Sequence, residues 1–379
     1  MLIYEYKLDG NKQQYAAIDE AIRVVQFIRN KCLRLWMDTR GINKNDLQCY
    51  CAVLAKEYSF ARTLNSQARQ ASADRAWAAI SRFYENCLNH KPGKKGYPKF
   101  QHDNRSVEYK TTGWKLDPDG RHITFIDGCG IGSLRLVGNP KQHIETFPLK
   151  QIKRVRILRR ADGYYVQFGV QAERQIEHTS TGSVVGIDMG LKVFYTDSNG
   201  NTVANPRHYR KAEKKLKRLH REVSRKQKKS KNRKKARQRL AKASLKVQRQ
   251  REDFARKTAS TLVSSHDLIA YEHLQIRNMV KNQKLAKSIH DAAWGQFLSL
   301  VKAYGIMHNV PVIAVPPHYT SQDCSRCGER VKKTLSTRTH VCPKCGLVMD
   351  RDENGAVNIL AKALNEGTLG HRETHERAS

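Results

Sequence analysis

Two Cys-x-x-Cys pairs near the C-terminus constrain this chain more than any other feature. The pairs are Cys324/Cys327 and Cys342/Cys345, and fourteen residues separate them. A glycine follows each pair directly, which allows the chain to turn so that backbone N–H groups face the sulfurs. Four thiolates at this spacing predict a tetrahedral Zn²⁺ site of the structural kind.

An acidic cluster begins five residues after the last of these cysteines and runs into a helical pattern. It contains Asp350, Asp352 and Glu353. The predicted metal site therefore holds the start of this acidic cluster, and so one of its carboxylates, in a fixed position. Spacing alone does not choose between Asp350 and Asp352, and an acid at the start of a helix also serves as an N-cap.

The charge balance indicates a polyanionic partner. The 379 residues include 70 Lys and Arg against 35 Asp and Glu, a formal net charge of +35. Such an excess repels itself in a compact protein unless a polyanion neutralises it, so nucleic acid is the leading partner. No stretch approaches the roughly 20 apolar residues of a spanning helix, and the first ten residues lack the order of a signal peptide. We expect no membrane partner and a cytoplasmic protein, whose remaining five cysteines are reduced thiols.

The first 172 residues show three successive patterns of apolar and polar residues. Residues 2–8 have strand-forming types, apolar residues recur at helical spacing from Ile18 to Leu88, and short alternating runs separated by turn pairs fill 107–172. This order predicts a small antiparallel barrel or sheet. If the first strand pairs into it, the helical bundle is an insertion.

The second half alternates buried strands with helices. Asp188 lies within the apolar run 184–189, and Glu272 lies at the exit of the run 268–272. An aspartate in a buried strand is costly unless something pairs with it, as a divalent metal does; capping of the turn at Gly190 is the other interpretation. A helix at 294–307 and a strand at 310–315 follow.

A long basic stretch lies between the apolar runs 184–189 and 268–272. Residues 210–251 contain 21 Lys and Arg, two Glu and no Pro or Gly. The pattern predicts one or two helices with a basic face. Binding along a phosphate backbone explains such clustered charge better than a solvated helix does.

Asp188, Glu272 and Asp352 form an ordered set of isolated acids, each at a strand exit or helix start. Carboxylates gathered at one end of a sheet repel each other unless cations lie between them. The arrangement suits two Mg²⁺ ions in phosphodiester cleavage.

Four segments carry a resemblance to a known family. They are GIDMG (186–190), YEHL (271–274), YTSQDCSRCG (319–328) and DRDENGAVNI (350–359), with GYPKF (96–100) as a fifth. Together they resemble TnpB, the transposon-encoded RNA-guided DNA endonucleases related to type V CRISPR effectors. The resemblance implies that Asp188, Glu272 and Asp352 bind the catalytic metal, with Asp352 favoured over Asp350. It also implies that Arg338 lies near the scissile phosphate.

The resemblance further implies a multidomain α+β fold. An RNase H-like (RuvC) α/β nuclease domain with a zinc-ribbon insertion would accompany a small antiparallel β-barrel (wedge) domain with an inserted helical bundle. The implied boundaries are 1–10 and 97–178 for the wedge barrel, 11–96 for the helical recognition domain, 179–317 and 347–367 for the nuclease domain, 318–346 for the zinc-binding insertion and 368–379 for a flexible tail.

The implied function is cleavage of guide-matched DNA beside a short flanking motif, with a guide RNA from the transposon end and double-stranded target DNA as partners. Three alternatives stay open: a nuclease-inactive guided DNA binder, a zinc-ribbon DNA-binding regulator and a DNA-transferring transposase. The regulator leaves Asp188 and Glu272 without a reason to lie in apolar strands.

Overall fold

A computed structural model of the chain describes residues 1–118, 120–138, 147–334 and 337–376, with side chains as far as residue 365. The chain divides into two compact units, the first ending at Glu173 and the second beginning at Arg174. Each unit has its own hydrophobic core.

The first unit combines a helical bundle with an antiparallel sheet. Its helices and strands are, in chain order, β1 (Leu2–Asp9), α1 (Lys12–Asp38), α2 (Lys44–Glu57), α3 (Ser59–Thr63), α4 (Ser66–Leu88), β2 (Ser106–Tyr109), β3 (Trp114–Leu116), β4 (His122–Phe125), β5 (Gly132–Val137), β6 (Ile152–Arg160) and β7 (Gly163–Val170).

The seven strands of this unit have the order β2-β6-β7-β1-β5-β4-β3. Strand β1 pairs with both β5 and β7, so the four helices are inserted after the first strand, as the sequence predicts. The sheet is curled, but a closed barrel is not seen. Closure requires the two edge strands to share hydrogen bonds, and β2 and β3 are short edges with no mutual pairing among the described residues.

The structure describes one of the predicted turn pairs of this region completely and two others only in part. The predicted turn at Asp162-Gly163 joins β6 to β7, where Arg160 pairs with Gly163. Asp119 and Asn139, each half of another predicted turn pair, lie outside the described residues. The helical face of α1 that contains Ile18, Ile22 and Ile28 is fully buried, in agreement with its apolar spacing.

The second unit contains a mixed sheet, a group of long helices and a small two-stranded ribbon. Its elements are β8 (Val184–Met189), β9 (Val193–Asp197), β10 (Thr202–Ala204), α5 (His208–Arg225), α6 (Lys231–Ser264), β11 (Leu268–Glu272), α7 (Ile276–Met279), α8 (Gln283–Ala292), α9 (Trp294–His308), β12 (Val312–Val315), β13 (Thr339–Val341), β14 (Val348–Asp350) and α10 (Arg351–Glu376).

The five strands of the main sheet have the order β10-β9-β8-β11-β12. Strands β8, β11 and β12 are parallel, whereas β9 and β10 form antiparallel hairpins with their neighbours. Helix α10 packs closely on β8 at Gly186. A Cβ atom at this position would lie only 2.2 Å from the carbonyl oxygen of Ala356. Only glycine permits this approach, which brings the start of α10 to the sheet.

The helices agree with their sequence patterns, with one extension. The basic stretch forms two helices, α5 and α6, and the predicted amphipathic helix is α9. Helix α10 continues to Glu376, so its backbone extends beyond residue 367, where we expected a flexible tail to begin.

Candidate active site and cysteine cluster

Asp188 and Glu272 lie side by side at the same edge of the sheet. Strands β8 and β11 are parallel, with Ile187 opposite Tyr271, so the next residue of each strand is an acid. Neighbouring strands are about 4.8 Å apart. The Glu272 side chain is buried and Asp188 is partly buried.

Asp352 lies in the first turn of α10, but it does not cap the helix. Asp350 does so, because its Oδ1 accepts from the backbone N–H groups of Asp352 (2.8 Å) and Glu353 (3.4 Å). The two acids that sequence spacing could not separate therefore have different roles. Capping occupies the carboxylate of Asp350 and leaves that of Asp352 to interact with side chains.

The electrostatics of Asp188 show that the three acids are neighbours. Burial raises the pKa of Asp188 well above its usual range, and repulsion from Glu272 and Asp352 raises it further, against an opposing effect of Arg351. An ionised carboxylate is costly where water is scarce and like charges are close. The site is therefore deficient in positive charge, which a bound cation would correct.

Glu272 has its own set of supporting groups. Burial raises its pKa, while the hydroxyl of Thr320, which donates to Oε1 of Glu272, and the charge of Lys362 act in the opposite direction. Thr320 is itself buried. Oε1 of Glu272 is thus fixed by a neighbour that the sequence pattern did not single out.

Arg338 reaches the same acids from the ribbon. Its Nη1 lies 3.4 Å from Oδ2 of Asp352, while Arg351 contacts Oδ1 of the same carboxylate at 3.0 Å. The carbonyl oxygen of Arg338 accepts from the backbone N–H of Arg351. Arg338, directly before strand β13, is therefore held at the first turn of α10.

The four cysteines form a compact group. Their sulfurs all lie within 4.8 Å of one another. Sγ of Cys324 is 3.6 Å from that of Cys345, and Sγ of Cys327 is 3.6 Å from that of Cys342. Zn–S bonds of about 2.3 Å in a tetrahedron require similar separations. The cluster could hold a metal ion such as zinc.

Local backbone geometry supports this group. Gly328 and Gly346 have φ angles of 75° and 71°, as the turn after each pair requires. The backbone N–H of Cys345 donates toward the Cys342 sulfur and contributes most to lowering its pKa to about 6. A thiol that ionises readily is suited to binding a metal.

Among the residues that the structure describes, these cysteines are the only group of three or more potential ligands so closely gathered. Asp188, Glu272 and Asp352 are neighbours but are not drawn to within such distances of one another. Within the same described ranges, no helix is both long and apolar enough to cross a bilayer.

Two family models match the second half of the chain. A model described as a probable transposase (OrfB_IS605) matches residues 167–283. A model of the Cas12f1-like TNB domain matches residues 294–359. The two matches include all eight candidate site residues, which are the four cysteines, Asp188, Glu272, Arg338 and Asp352.

Curated relatives agree with these models. The chain is 37% identical over 202 residues to a Streptomyces pristinaespiralis protein provisionally named an RNA-guided DNA endonuclease, covering 53% of this chain and 50% of that protein. It is 27% identical over 299 residues to InsQ of Escherichia coli strain K12, which has a similar provisional name, covering 74% and 71%. A TnpB-like protein of Aquifex aeolicus is 30% identical over 132 residues, covering 32% and 42%.

Together these matches support a member of the TnpB family. The chain spans about half the length of the Streptomyces relative.

Solved structures extend the likeness to the fold. The structure of a Cas12f1–sgRNA–target DNA complex matches with a TM-score of 0.55 at 13% identity, covering 92% of this chain and 81% of that one. CasPhi-2 (Cas12j) bound to crRNA matches with a TM-score of 0.54 at 10% identity, covering 96% and 98%. The chain therefore has a Cas12-like α+β fold.

The structure also identifies residues that the sequence did not single out. Asn354 and Asn358, one turn apart on α10, both donate to the carbonyl oxygen of Asp323, and Asn358 also donates to that of Thr320. These contacts hold the loop that contains Thr320 and Asp323, called the Thr320 loop below, against the helix. A pair of amide side chains at i and i+4 in an apolar helix was the available signal. The TnpB-family motif NGAVN contains both.

Proposed function

We propose that this protein is an RNA-guided DNA endonuclease of a transposable element, which cleaves guide-matched DNA next to a short flanking motif. The observation that carries the proposal is the convergence of Asp188, Glu272 and Asp352. Two of these acids have pKa values raised by burial, and the third raises that of Asp188 further. No packing role explains three neighbouring acids at one sheet edge.

The donor set fits hard divalent cations. Carboxylate oxygens are the ligands that Mg²⁺ prefers, together with water and phosphate oxygens. We assign Asp188, Glu272 and Asp352 as the residues that hold two Mg²⁺ ions. Bound there, the ions would supply an activated water and stabilise the leaving oxygen of a phosphodiester.

The chain's own residues have distinct parts in this proposal. The acids hold the site at the sheet edge, and Thr320 orients Glu272 through its hydrogen bond to Oε1. Arg338, whose guanidinium already lies beside Asp352, is suited to contact a phosphate oxygen of the DNA once the acids are neutralised. Its second donor edge would then stabilise charge that develops at the scissile phosphate.

We assign the four-cysteine cluster to a structural Zn²⁺ bound by Cys324, Cys327, Cys342 and Cys345. The carbonyl of Asp323, directly before the first cysteine, is held by Asn354 of α10. The loop before Cys324 and the helix that carries Asp352 are thus joined beside the cluster. A Zn²⁺ ion held there would support the positions of Arg338 and of the Thr320 loop, and its role would be structural.

The partners follow from charge and from the relatives. The names of two relatives specify RNA-guided DNA cleavage, and the Cas12f1 structure contains a guide RNA and target DNA. Helices α5 and α6 present the basic stretch 210–251 along which a phosphate backbone would bind. Base pairing with a guide RNA from the transposon end would supply sequence discrimination. We expect no membrane partner and a cytoplasmic location.

The proposed architecture assigns a role to each part of the chain. The strand order with β8 in the centre suits an RuvC-like nuclease domain of residues 179–317 and 347–367, interrupted by a zinc ribbon of residues 318–346. Residues 1–10 and 97–178 would form the wedge domain. Residues 11–96 would form the helical recognition domain.

A cleavage assay tests the proposal. The protein is purified with RNA expressed from its own locus and incubated with matched plasmid and Mg²⁺. We expect cleavage that requires the match, the RNA and the metal. RNA-dependent binding without cleavage would favour a nuclease-inactive binder, and binding without RNA would favour a zinc-ribbon regulator.

A further inference from the structure

The loop that leads into the cysteine cluster presents an exposed aromatic side chain. Tyr319 is 49% exposed. The next residue is Thr320, whose hydroxyl donates to Glu272. The aromatic ring therefore belongs to the residue directly before Thr320, which contacts Glu272, one of the proposed metal-binding acids. Exposed tyrosines alone are common, so the geometry around this one decides its interpretation.

The backbone of Tyr319 is held in an unfavourable conformation. Its φ angle is 63°, in the left-handed region that bulky residues rarely adopt. The carbonyl oxygen of Tyr319 accepts from the N–H groups of Gln322 and Asp323, both at 2.9 Å. Asn358 holds the carbonyl of Thr320 at 2.8 Å, and Lys362 holds that of His318. The loop is therefore fixed on both sides of an exposed aromatic residue.

A cation covers part of the Tyr319 ring. The guanidinium carbon of Arg330 lies 3.5 Å from the ring centroid. Nε of Arg330 donates a 2.9 Å hydrogen bond to Oδ1 of Asp323, which holds the guanidinium in place. Arg330 occupies one face of the ring, while about half of the Tyr319 residue, 49%, stays exposed. A flat π-surface backed by a positive charge is an arrangement on which unpaired nucleobases stack.

We propose that Tyr319, supported by Arg330, is a stacking platform for an unpaired base immediately beside the phosphate that the acids receive. The proposal rests on the proposed nuclease function, because it requires single-stranded DNA at the acids. A paired base is already stacked on both sides, so the platform selects a strand that has left its duplex. The platform would position the strand rather than take part in bond cleavage.

Variants at Tyr319 separate the ring from the fold. Tyr319→Asn removes the ring and accepts the left-handed backbone readily, so its folding is not compromised by φ. Tyr319→Phe keeps the stacking face and removes only the hydroxyl. Zinc content and melting temperature are measured for both variants, and a structural role for the ring would lower them in Tyr319→Asn.

Single-turnover cleavage by the RNA-loaded full chain provides the first measurement. Base–aromatic stacking contributes enough that its loss lowers the rate roughly 5- to 100-fold. The affinity for the matched duplex stays unchanged, because guide pairing supplies it. Tyr319→Phe cleaves like the unmodified protein. Equal rates in all three proteins, with unchanged zinc content, would overturn the proposal.

Fluorescence provides a second measurement that does not need cleavage. The RNA-loaded protein is titrated, with Ca²⁺ in place of Mg²⁺, against a single-stranded DNA that carries one 2-aminopurine. Stacking on Tyr319 quenches this base in the unmodified protein and in Tyr319→Phe but not in Tyr319→Asn. Identical quenching in Tyr319→Asn would refute the platform even if the protein cleaves DNA. Ring-dependent quenching without cleavage would support the platform and reject only the nuclease function.

Discussion

Gly355 lies directly against the carboxylate of Asp188, and a Cβ atom at Gly355 would be 2.9 Å from Oδ2 of Asp188. The missing side chain lets the first turns of α10 approach the sheet edge. The same turns carry Asp352. A single glycine therefore sets how closely two of the three acids approach each other.

We expect Gly355→Ala to reduce cleavage at least about tenfold. Alanine is the better helix former by roughly 1 kcal/mol, so the helix itself gains stability. The new methyl group must nevertheless displace Asp188 or α10, and a shift of about 1 Å at a catalytic group is costly. Single-turnover rates and melting temperatures measure the two effects separately.

Gly295→Ala is the matched control for that change. Gly295 is also helical, and a Cβ there would meet only Cδ1 of Ile276 at 3.6 Å, an ordinary contact. Cleavage should be unchanged. An equal loss of activity in both variants would show that helix propensity, and not contact with Asp188, is responsible.

Asp188 should destabilise the metal-free protein at neutral pH. Its pKa is raised in the folded state, so the folded protein binds the proton more tightly than the unfolded chain does. The ionised carboxylate then costs stability once the pH exceeds the ordinary value of about 4. Asp188→Asn should therefore raise the melting temperature of the metal-free protein at about pH 8, with a difference that disappears toward pH 4.

Asp267 provides the opposite case in the same unit. Hydrogen bonds from the Ser180 hydroxyl, the backbone of Thr181 and His178 lower its pKa below the usual range. The ionised form therefore stabilises the fold above about pH 4 and loses this effect as the pH falls further. Asp267→Asn should lower the melting temperature at about pH 8 and converge with the unmodified protein in acid. Shifts of the same sign in both variants would contradict the assigned electrostatics.

Loss of the proposed structural Zn²⁺ should reduce cleavage although all three acids are left in place. Cys345→Ala removes one of four ligands, and we expect zinc content to fall from about one per chain toward zero. Cleavage should fall at least about tenfold, because Arg338 and the Thr320 loop depend on the ribbon. Elemental analysis and the cleavage rate provide the measurements. Cys49→Ala, at an exposed cysteine of α2, should change neither.

The Thr320 hydroxyl should set the pH range of cleavage. It is among the groups that lower the pKa of Glu272. Without it the carboxyl keeps its proton to higher pH, so Thr320→Val should reduce activity at neutral pH roughly tenfold and shift the acidic limb of the pH–rate profile upward. Thr320→Ser retains the donor and should keep the original profile. A uniform loss at every pH in Thr320→Val would indicate a packing effect instead.

Local patterns predicted the acids' strands and the four cysteines, because each depends on spacing that folding preserves. The N-terminal strand was also predicted to pair into the later sheet, and β1 does so. Closure of that sheet into a barrel was expected and is not seen. Whether two edge strands meet depends on curvature and edge length, which alternation along one strand does not encode.

Side-chain partners across long sequence distances were beyond such patterns. Thr320 and Glu272 are 48 residues apart, and nothing in either segment encodes their hydrogen bond. Asp350 and Asp352 could not be separated by spacing, because both lie within reach of the helix start. Only the capping geometry, with Asp350 accepting from the N–H of Asp352, assigns the two carboxylates.

This assignment of Asp350 and Asp352 also gives the most direct test of the three-acid site. Single-turnover cleavage of matched DNA with Mg²⁺ is compared for Asp352→Asn and Asp350→Asn in the RNA-loaded protein. Asparagine caps a helix about as well as aspartate, so Asp350→Asn should cleave within severalfold of the unmodified protein. Asp352→Asn loses a charge that we propose binds the metal, and its cleavage rate should fall by at least about a hundredfold. Full cleavage by Asp352→Asn, or loss confined to Asp350→Asn, would contradict a catalytic site built from Asp188, Glu272 and Asp352.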